Sequence, residues 1–449
     1  MANIRLPYKY DPRSYQMNCW NYFAQAKEGL RGTAVWHRRA GKDLMGINLV
    51  GIKHLQRVGM YWHLLPTYKQ GRAIVWNGFT KEGRRFIDHF PPDLVTERNK
   101  TEMRITFTNG AMYQVIGTDD INSLVGTNPV GCIFSEYSLQ DPGAWDYIRP
   151  ILAENGGWAL FIYTARGKNH GYKMYEMARK NPKWFCEMLK AGDEGTKKDD
   201  GTPVVSNQVI QDERDASMPE EMIQQEFYCS FEAPLVGSFY GHQMAGLDKR
   251  KQICKVPWEP KLEVHTAWDL GIDDEMVVWF IQEMPGEVRI IDLIIVSGES
   301  LIAVIKMLKG QVDGYEHMGD YVYGKHYAPH DIEVRELTTA KTRKDTAKEH
   351  GVRFTAVGKH EVEDGIDAVR MLLPKCWFDE VRCERGTEAL KSYRKEFDEK
   401  NRTFRTTPLH DWASHPADAL RVYAWGRRSD RHSRVERQTT AIDNYDYSQ

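Results

Sequence analysis

GTAVWHRRAGKDLMGINLV, residues 32–50, passes from an apolar β-rich run through a short basic loop ending in Gly41 and Lys42 into a helical pattern. A glycine there lets backbone N–H groups approach phosphate oxygens, and the helix beginning at Asp43 presents its positive dipole end. Lys42 supplies a mobile charge for the outer phosphates, with Arg38 and Arg39 adding to it. The pattern departs from a regular P-loop in two places: Trp36 stands at the usual first glycine, and Asp43 where Ser or Thr follows the lysine. A basic strand-to-helix turn without a ligand has the same local appearance. The neighbouring segments therefore decide between them.

Those segments alternate short β-rich runs with helical ones, as expected of a mainly parallel sheet flanked by helices. Strands are expected at Thr33–Trp36, Met60–Leu65, Met112–Ile116, Gly131–Phe134 and Trp158–Tyr163. Val130–Glu136 reads as a buried strand ending in a polar pair, the place of a Walker B motif. Glu136 would orient and activate the attacking water, while Ser135 holds the position of a magnesium-binding aspartate. A core strand meeting solvent would look similar. Thr164 ends the next buried strand, where its hydroxyl can sense an outer phosphate.

The 449 residues suit two domains, each large enough for its own core. With a formal charge of −2, nothing in bulk composition resembles a generally basic nucleic-acid binder, so DNA contact must come from local patches. No apolar run approaches bilayer length and the first residues lack a signal-peptide pattern, which predicts a protein that stays in the cytoplasm where it is made, with no membrane contact. The seven scattered cysteines form no C-x-x-C and are expected as reduced thiols. A zinc site at His326 and His330 is disfavoured, because Pro329 and the flanking tyrosines point to a strand or loop rather than a helix.

The order PRSYQ, HRRAGKD, LLPTYKQGRAIVW, IGTDDINSLVGTNPVGCIFSEY and YTARG, from residue 12 to 167, resembles the large terminase subunit of tailed double-stranded DNA bacteriophages. The resemblance implies that Gln16 contacts adenine, Lys42 the phosphates, that Glu136 serves hydrolysis, and that Thr164 couples hydrolysis to movement. ATP and magnesium are the implied cofactors. A homo-oligomeric ring is implied on the procapsid, with an arginine from a neighbouring subunit completing the site. Arg149 and Arg214 are the candidates.

In the second half, Asp269 (AWDLGIDD), Asp331 (YAPHDIEVRE) and Asp418 (SHPADALRVYAWG) stand at expected strand or helix boundaries. RNase H-like folds place aspartates on neighbouring strands about 4.8 Å apart. Two magnesium or manganese ions about 3.5 to 4 Å apart can share them. Asp418, at the start of a final helix over residues 418–425, would close the ligand set, with Asp273 and Asp274 as supporting candidates and His415 as an orienting or capping group. A solvated strand end is the bland alternative for each acid. These segments also follow the order of the terminase nuclease, extending the resemblance over nearly the whole chain. Lys341, Arg343 and Lys344 would hold phosphates without reading bases.

The expected organisation is a P-loop ATPase over residues 1–210, a linker subdomain over 211–258, an RNase H-like α/β nuclease over 259–428 and a mobile tail over 429–449. Residues 192–204 read as an exposed loop, and residues 264–283 and 288–298 as strands able to pair around Pro285 and Gly286. The expected activity is ATP-driven translocation of double-stranded viral DNA into procapsids with metal-dependent cutting of the concatemer. A portal protein and a small terminase subunit are the expected partners. Rivals are a helicase-nuclease of DNA repair, which should carry a second motor domain, and a structural assembly protein with a degenerate nucleotide site. Against degeneration, Asp43 and Ser135 read as one compensated exchange: carboxylate and hydroxyl have traded strands, leaving the magnesium-ligand inventory unchanged.

Overall fold

The computed structural model describes residues 4–119, 126–271, 275–312, 315–334, 341–398 and 403–443. The chain divides into two units at Val236 and Gly237. The expected linker at 211–258 is thus not a separate body. Its first part packs into the N-terminal unit through Ile223 and Phe227, and its second joins the C-terminal cores through Tyr240, Met244 and Val256.

In the first unit, α1 (Met17–Ala24) precedes β1 (Arg31–Trp36), α2 (Lys42–Gln56), β2 (Met60–Leu65) and the short α3 (Tyr68–Gly71). An antiparallel edge follows in β3 (Val95–Asn99), β4 (Arg104–Phe107) and β5 (Met112–Gly117). The unit continues with β6 (Pro129–Ser135), α4 (Gly143–Glu154), β7 (Trp158–Tyr163), α5 (His170–Lys180), β8 (Trp184–Leu189), α6 (Asn207–Asp215) and α7 (Glu220–Glu226). The sheet order is β3-β4-β5-β2-β6-β7-β1-β8, and every pairing from β5 onward is parallel.

The central strands are apolar on both faces because helices cover both. Ile133, Leu160 and Ile162 turn toward Met45 and Leu49 of α2, while Phe134, Phe161 and Tyr163 turn toward Trp145 and Ile148 of α4. Gly46 lets α2 lie close to the sheet: a Cβ there would stand 3.0 Å from Ile133 Cδ1. All five expected strands form. The edge strands β3 and β4 and the outer β8 carry mixed polar patterns and were not legible as strands.

The second unit contains α8 (Gly241–Lys249), β9 (Ile253–Cys254), β10 (Val264–Leu270), β11 (Glu275–Met284), β12 (Glu287–Ser297), α9 (Leu301–Leu308), β13 (Tyr323–Ala328) and α10 (Arg343–Glu349). Then come β14 (Phe354–Ala356), α11 (Val362–Leu372), β15 (Cys376–Asp379), α12 (Glu384–Ser392), the hairpin β16 (Lys395–Asp398) and β17 (Thr403–Pro408), and α13 (Ser414–Asp443). Its main sheet runs β14-β13-β10-β11-β12-β15-β9. The strands β10, β11 and β12 are antiparallel, with Met284 facing Glu287 across the expected turn, and β13 and β14 add in parallel beside β10. That is an RNase H-like arrangement, as expected.

The helix α13 packs Ala417, Leu420 and Tyr423 into a core with Ala267, Trp279 and Tyr327. Trp279 Nε1 donates to Pro416 O at 2.8 Å, pinning the start of α13 to the sheet. Asp418 therefore lies one turn inside the helix rather than at its start, and the helical backbone continues to Asp443, through most of the segment expected as a tail.

Candidate functional site

The strands β6, β7 and β1 are adjacent and parallel, so Ser135, Tyr163 and Trp36 end at the same edge of the sheet, where ligands of open α/β sheets bind. The loop from His37 to Gly41 leaves β1 there, with Arg39 and Gly41 in left-handed backbone conformation at φ 72° and 77°. Gly41 caps α2, and a Cβ on it would meet Gln16 Nε2 at 3.1 Å. The buried Gln16 amide donates to Ala40 O at 2.8 Å and accepts from Tyr10 OH and Arg13 N, locking the segment before α1 against the loop.

The Lys42 ammonium turns back into this loop. It donates to Trp36 O at 3.0 Å, His37 O at 3.4 Å and Thr164 Oγ1 at 3.3 Å, so the third expected element meets the first directly. Ser135 Oγ donates to Asp43 Oδ1 at 2.5 Å. His63 Nε2 donates to the same oxygen at 3.2 Å, and Tyr113 OH reaches His63 Nδ1 at 3.0 Å. Burial alone would raise the Asp43 pKa, but His63, Ser135 and the Lys42 charge together hold it below the usual carboxylate value. Asp43 and Ser135, ninety-two positions apart in sequence, thus share one oxygen-rich corner. Such hard oxygen donors fit a magnesium ion.

Glu136 follows at φ 53°, a conformation that costs a non-glycine residue about 1–2 kcal/mol and tends to be kept at functional sites. Its N–H is tied to Ile162 O at 2.8 Å, which fixes the turn off β6. The Oε2 atom is buried with no hydrogen-bond partner among the described residues. Burial raises its pKa, and the positive charges of Lys42 and Arg166 oppose that shift only in part. A poised acceptor of this kind suits a general base.

Four further groups at this edge carried no expected role, although His37 and Arg166 stand inside the segments HRRAGKD and YTARG. His37 is buried, with Nδ1 at 2.5 Å from Arg38 O and Nε2 at 2.6 Å from Thr196 Oγ1. Thr196 is itself buried, so the segment expected as an exposed loop reaches back to the loop after β1. Arg166 donates to Glu226 Oε1 at 2.6 Å, with side chains only 14% and 7% exposed. Glu226 O accepts from Arg38 N at 2.7 Å. The two candidate trans-acting arginines stand elsewhere in the unit: Arg149 is exposed on α4, and Arg214 on α6 pairs with Glu220 at 2.9 Å.

In the second unit, Asp269 lies on β10 and accepts from His415 Nδ1 at 2.9 Å. Asp418 stands three residues beyond His415 on α13, the same helix face. Its carboxylate meets Arg421 at 2.7 Å. Burial and the neighbouring Asp269 charge push the Asp418 pKa up to about 6, although Arg421 and two histidines pull the other way. Asp331 sits in a short turn just past β13, and with Ala267 paired to Tyr327 this turn leaves the sheet beside Asp269. Its Oδ1 is buried without a partner among the described residues.

Among the described residues, no three His, Cys, Asp or Glu side chains are gathered into a ready metal cluster. Asp269 and Asp418 are instead engaged by His415 and Arg421. The donor chemistry still fits a hard divalent cation: oxygen ligands, one orphaned carboxylate oxygen and one carboxyl whose pKa is raised by burial and by a like charge. Asp273 and Asp274 lie outside the described residues. Lys341 and Lys344 form exposed ion pairs with Glu349 and Glu333, and Arg343 opens α10. His326 is a buried residue of β13 bonded to Thr266.

No family model matches the sequence, and no curated protein does. The solved structures it resembles include large terminases. One from a thermophilic bacteriophage aligns over 92% of this chain and 98% of its own length, at 14% identity and TM-score 0.38. The ATPase domain of the Thermus phage P74-26 large terminase covers 50% of this chain and 100% of its own at 18% identity, TM-score 0.36. The large terminase nuclease of thermophilic phage G20c, solved with bound magnesium, covers 43% and 97% at 15% identity, TM-score 0.29. Among the described residues, no helix is long and apolar enough to cross a membrane.

Proposed function

We propose that this chain is the large terminase subunit of a tailed phage: an ATPase that drives double-stranded DNA into a procapsid, joined to a divalent-metal endonuclease that cuts the concatemer. The observation that carries the reading is the convergence of Lys42, Asp43, Ser135, Glu136 and Thr164 at the carboxyl ends of three adjacent parallel strands. The order of the surrounding sequence motifs supports the same assignment.

In this reading Lys42 leaves the Trp36 and His37 carbonyls for the outer phosphates of ATP. Glu136 accepts a proton from the attacking water, its unpartnered Oε2 being the available lone pair. Thr164, bonded to Lys42 before nucleotide arrives, registers the lysine's departure and passes it to β7. Asp43 and Ser135 would hold magnesium, which neutralises phosphate charge when bound. In the second unit Asp269, Asp331 and Asp418 would hold magnesium or manganese, which activates water and stabilises the leaving oxygen. His415 keeps Asp269 oriented, and surface lysines bind phosphates without base preference. A portal protein, a small terminase subunit and a ring of identical copies complete the machine.

The test is DNA packaging. Purified chain, partner subunit, empty procapsids, ATP and magnesium should render added duplex DNA resistant to external nuclease. ATP hydrolysis and DNA cutting without any protection, all partners being present, would favour a repair helicase-nuclease.

A further inference from the structure

Glu226 ends α7 with its carboxylate among cations of the phosphate-binding loop. Arg166 NH2 lies 2.6 Å from its Oε1 and Arg38 NH1 3.9 Å from the same atom. Burial would raise its pKa, but Arg166, Arg38 and Lys42, in that order, hold it below the ordinary value. A single buried carboxylate is thus placed where it answers three positive charges, two of them on the loop itself.

Arg166 follows Thr164 by two residues just beyond the end of β7, the strand next to β1, so it leaves the same edge of the sheet. Its Nε–H is buried with no acceptor among the described residues, while NH2 is spent on Glu226. A guanidinium fork holding one carboxylate oxygen and keeping a second donor idle is suited to a tetrahedral oxyanion. A static ion pair tying α7 to the segment after β7 would not explain why the Arg38 guanidinium also stands 3.9 Å from this carboxylate.

We propose that Glu226 is a built-in stand-in for the terminal phosphate: it holds Arg38 and Arg166 until ATP arrives, then yields them, making Arg166 a phosphate-contacting residue supplied by the same subunit. The inference rests on the ATPase reading above. It predicts competition. Removing the carboxylate charge strengthens binding of the triphosphate, and only while Arg166 is present. A diphosphate, lacking the outer phosphate, gains little.

The experiment measures magnesium-dependent binding of ATP-γ-S and of ADP to the full chain by calorimetry, with thermal unfolding recorded for each variant. Glu226→Gln should tighten ATP-γ-S binding roughly five- to tenfold with ADP changed less than about twofold, and should lower KM for ATP. Glu226→Asp keeps the charge and should behave like the parent. Arg166→Gln should weaken ATP-γ-S, and the double variant Arg166→Gln with Glu226→Gln should show none of the gain.

An unchanged ATP-γ-S to ADP ratio in a folded Glu226→Gln protein, or equal weakening of both ligands, overturns the proposal in favour of a structural ion pair. Should Glu226→Gln unfold, Arg166→Lys decides: it keeps the charge but loses the fork. A lower triphosphate preference supports the proposal, and an unaltered one overturns it. Failure of the parent chain to bind either nucleotide, with Lys42→Ala indistinguishable from it, would instead remove the ATPase reading.

Discussion

The two candidate sites treat charge in opposite ways. At the nucleotide edge nearly every charged group already has a partner within the chain: Lys42 on loop carbonyls, Asp43 on Ser135 and His63, Arg166 on Glu226. Among the described residues, the Glu136 carboxylate keeps an orphaned oxygen and Arg166 an idle Nε–H. At the carboxylate site Asp269 and Asp418 also have partners, His415 and Arg421, but burial and the Asp269 charge still push the Asp418 pKa up to about 6, and Asp331 keeps an unpartnered oxygen among the described residues. A site that binds an anion transiently must release its cations cheaply, so it keeps them on exchangeable internal partners. A site that holds cations has an excess of acids that only cations can relieve.

The sharpest way to break this contrast is Glu136→Gln. It keeps size and polarity but removes the acceptor charge, and should lower ATP turnover by roughly 10²–10⁴-fold with little change in nucleotide affinity or DNA cutting. Steady-state phosphate release and plasmid nicking measured on one preparation check both halves. Next in size, Asp269→Ala, Asp331→Ala and Asp418→Ala should each abolish magnesium- or manganese-dependent nicking, on the order of 10²-fold or more, while leaving ATPase activity nearly intact. Chelation by EDTA should do the same to nicking of the parent. Persistent cutting by Asp269→Ala would show that the metal ligands are misassigned.

A third effect sharpens the nucleotide side alone. Because Asp43 and Ser135 touch, Asp43→Ser or Ser135→Asp alone should each lower turnover, and the double exchange should recover part of the loss. The coupling expected of contacting residues is about 0.5–3 kcal/mol. Simple additivity across a magnesium titration would mean that the two do not share the ion.

The smallest expected effect concerns His37, whose pKa burial lowers from 6.5 to about 4. A histidine depressed in the folded state contributes stability that is complete above pH 6.5 and lost as pH falls toward 4, because only the unfolded chain takes up the proton in that window. The ceiling is about 3 kcal/mol. His37→Gln should therefore flatten the decline in urea-unfolding stability between those pH values. A decline as steep as the parent's would assign it to other groups.

The alternation of apolar runs was legible because strands buried on both faces read as continuous hydrophobic segments, as β1, β2, β6 and β7 do, while β5 alternates buried with half-buried residues, which is the other strand pattern. The glycine-lysine loop and the polar pair after β6 were legible because phosphate chemistry constrains residue type at adjacent positions. The contact between Asp43 and Ser135 was inferred as an exchange of roles, but its partner His63 sits mid-strand in MYWHLL with nothing local to mark it. The pairing of Arg166, in the quoted YTARG segment, with Glu226 was equally hidden: a charged residue in a loop or at a helix end is ordinarily solvated, and only burial against another charge gives it meaning.

By itself, then, the sequence determined which residue types could do chemistry and in which elements they lie, since periodicity, turn residues and strand-end motifs are properties of neighbours along the chain. Tertiary structure decided which charges are paired. Strand order brings residues 42, 135 and 164 to one edge of a sheet, and the return of α7 sets residue 226 against 166. These encounters depend on long-range packing, whose free energy is spread over whole apolar faces and leaves no mark at the polar residues it brings together.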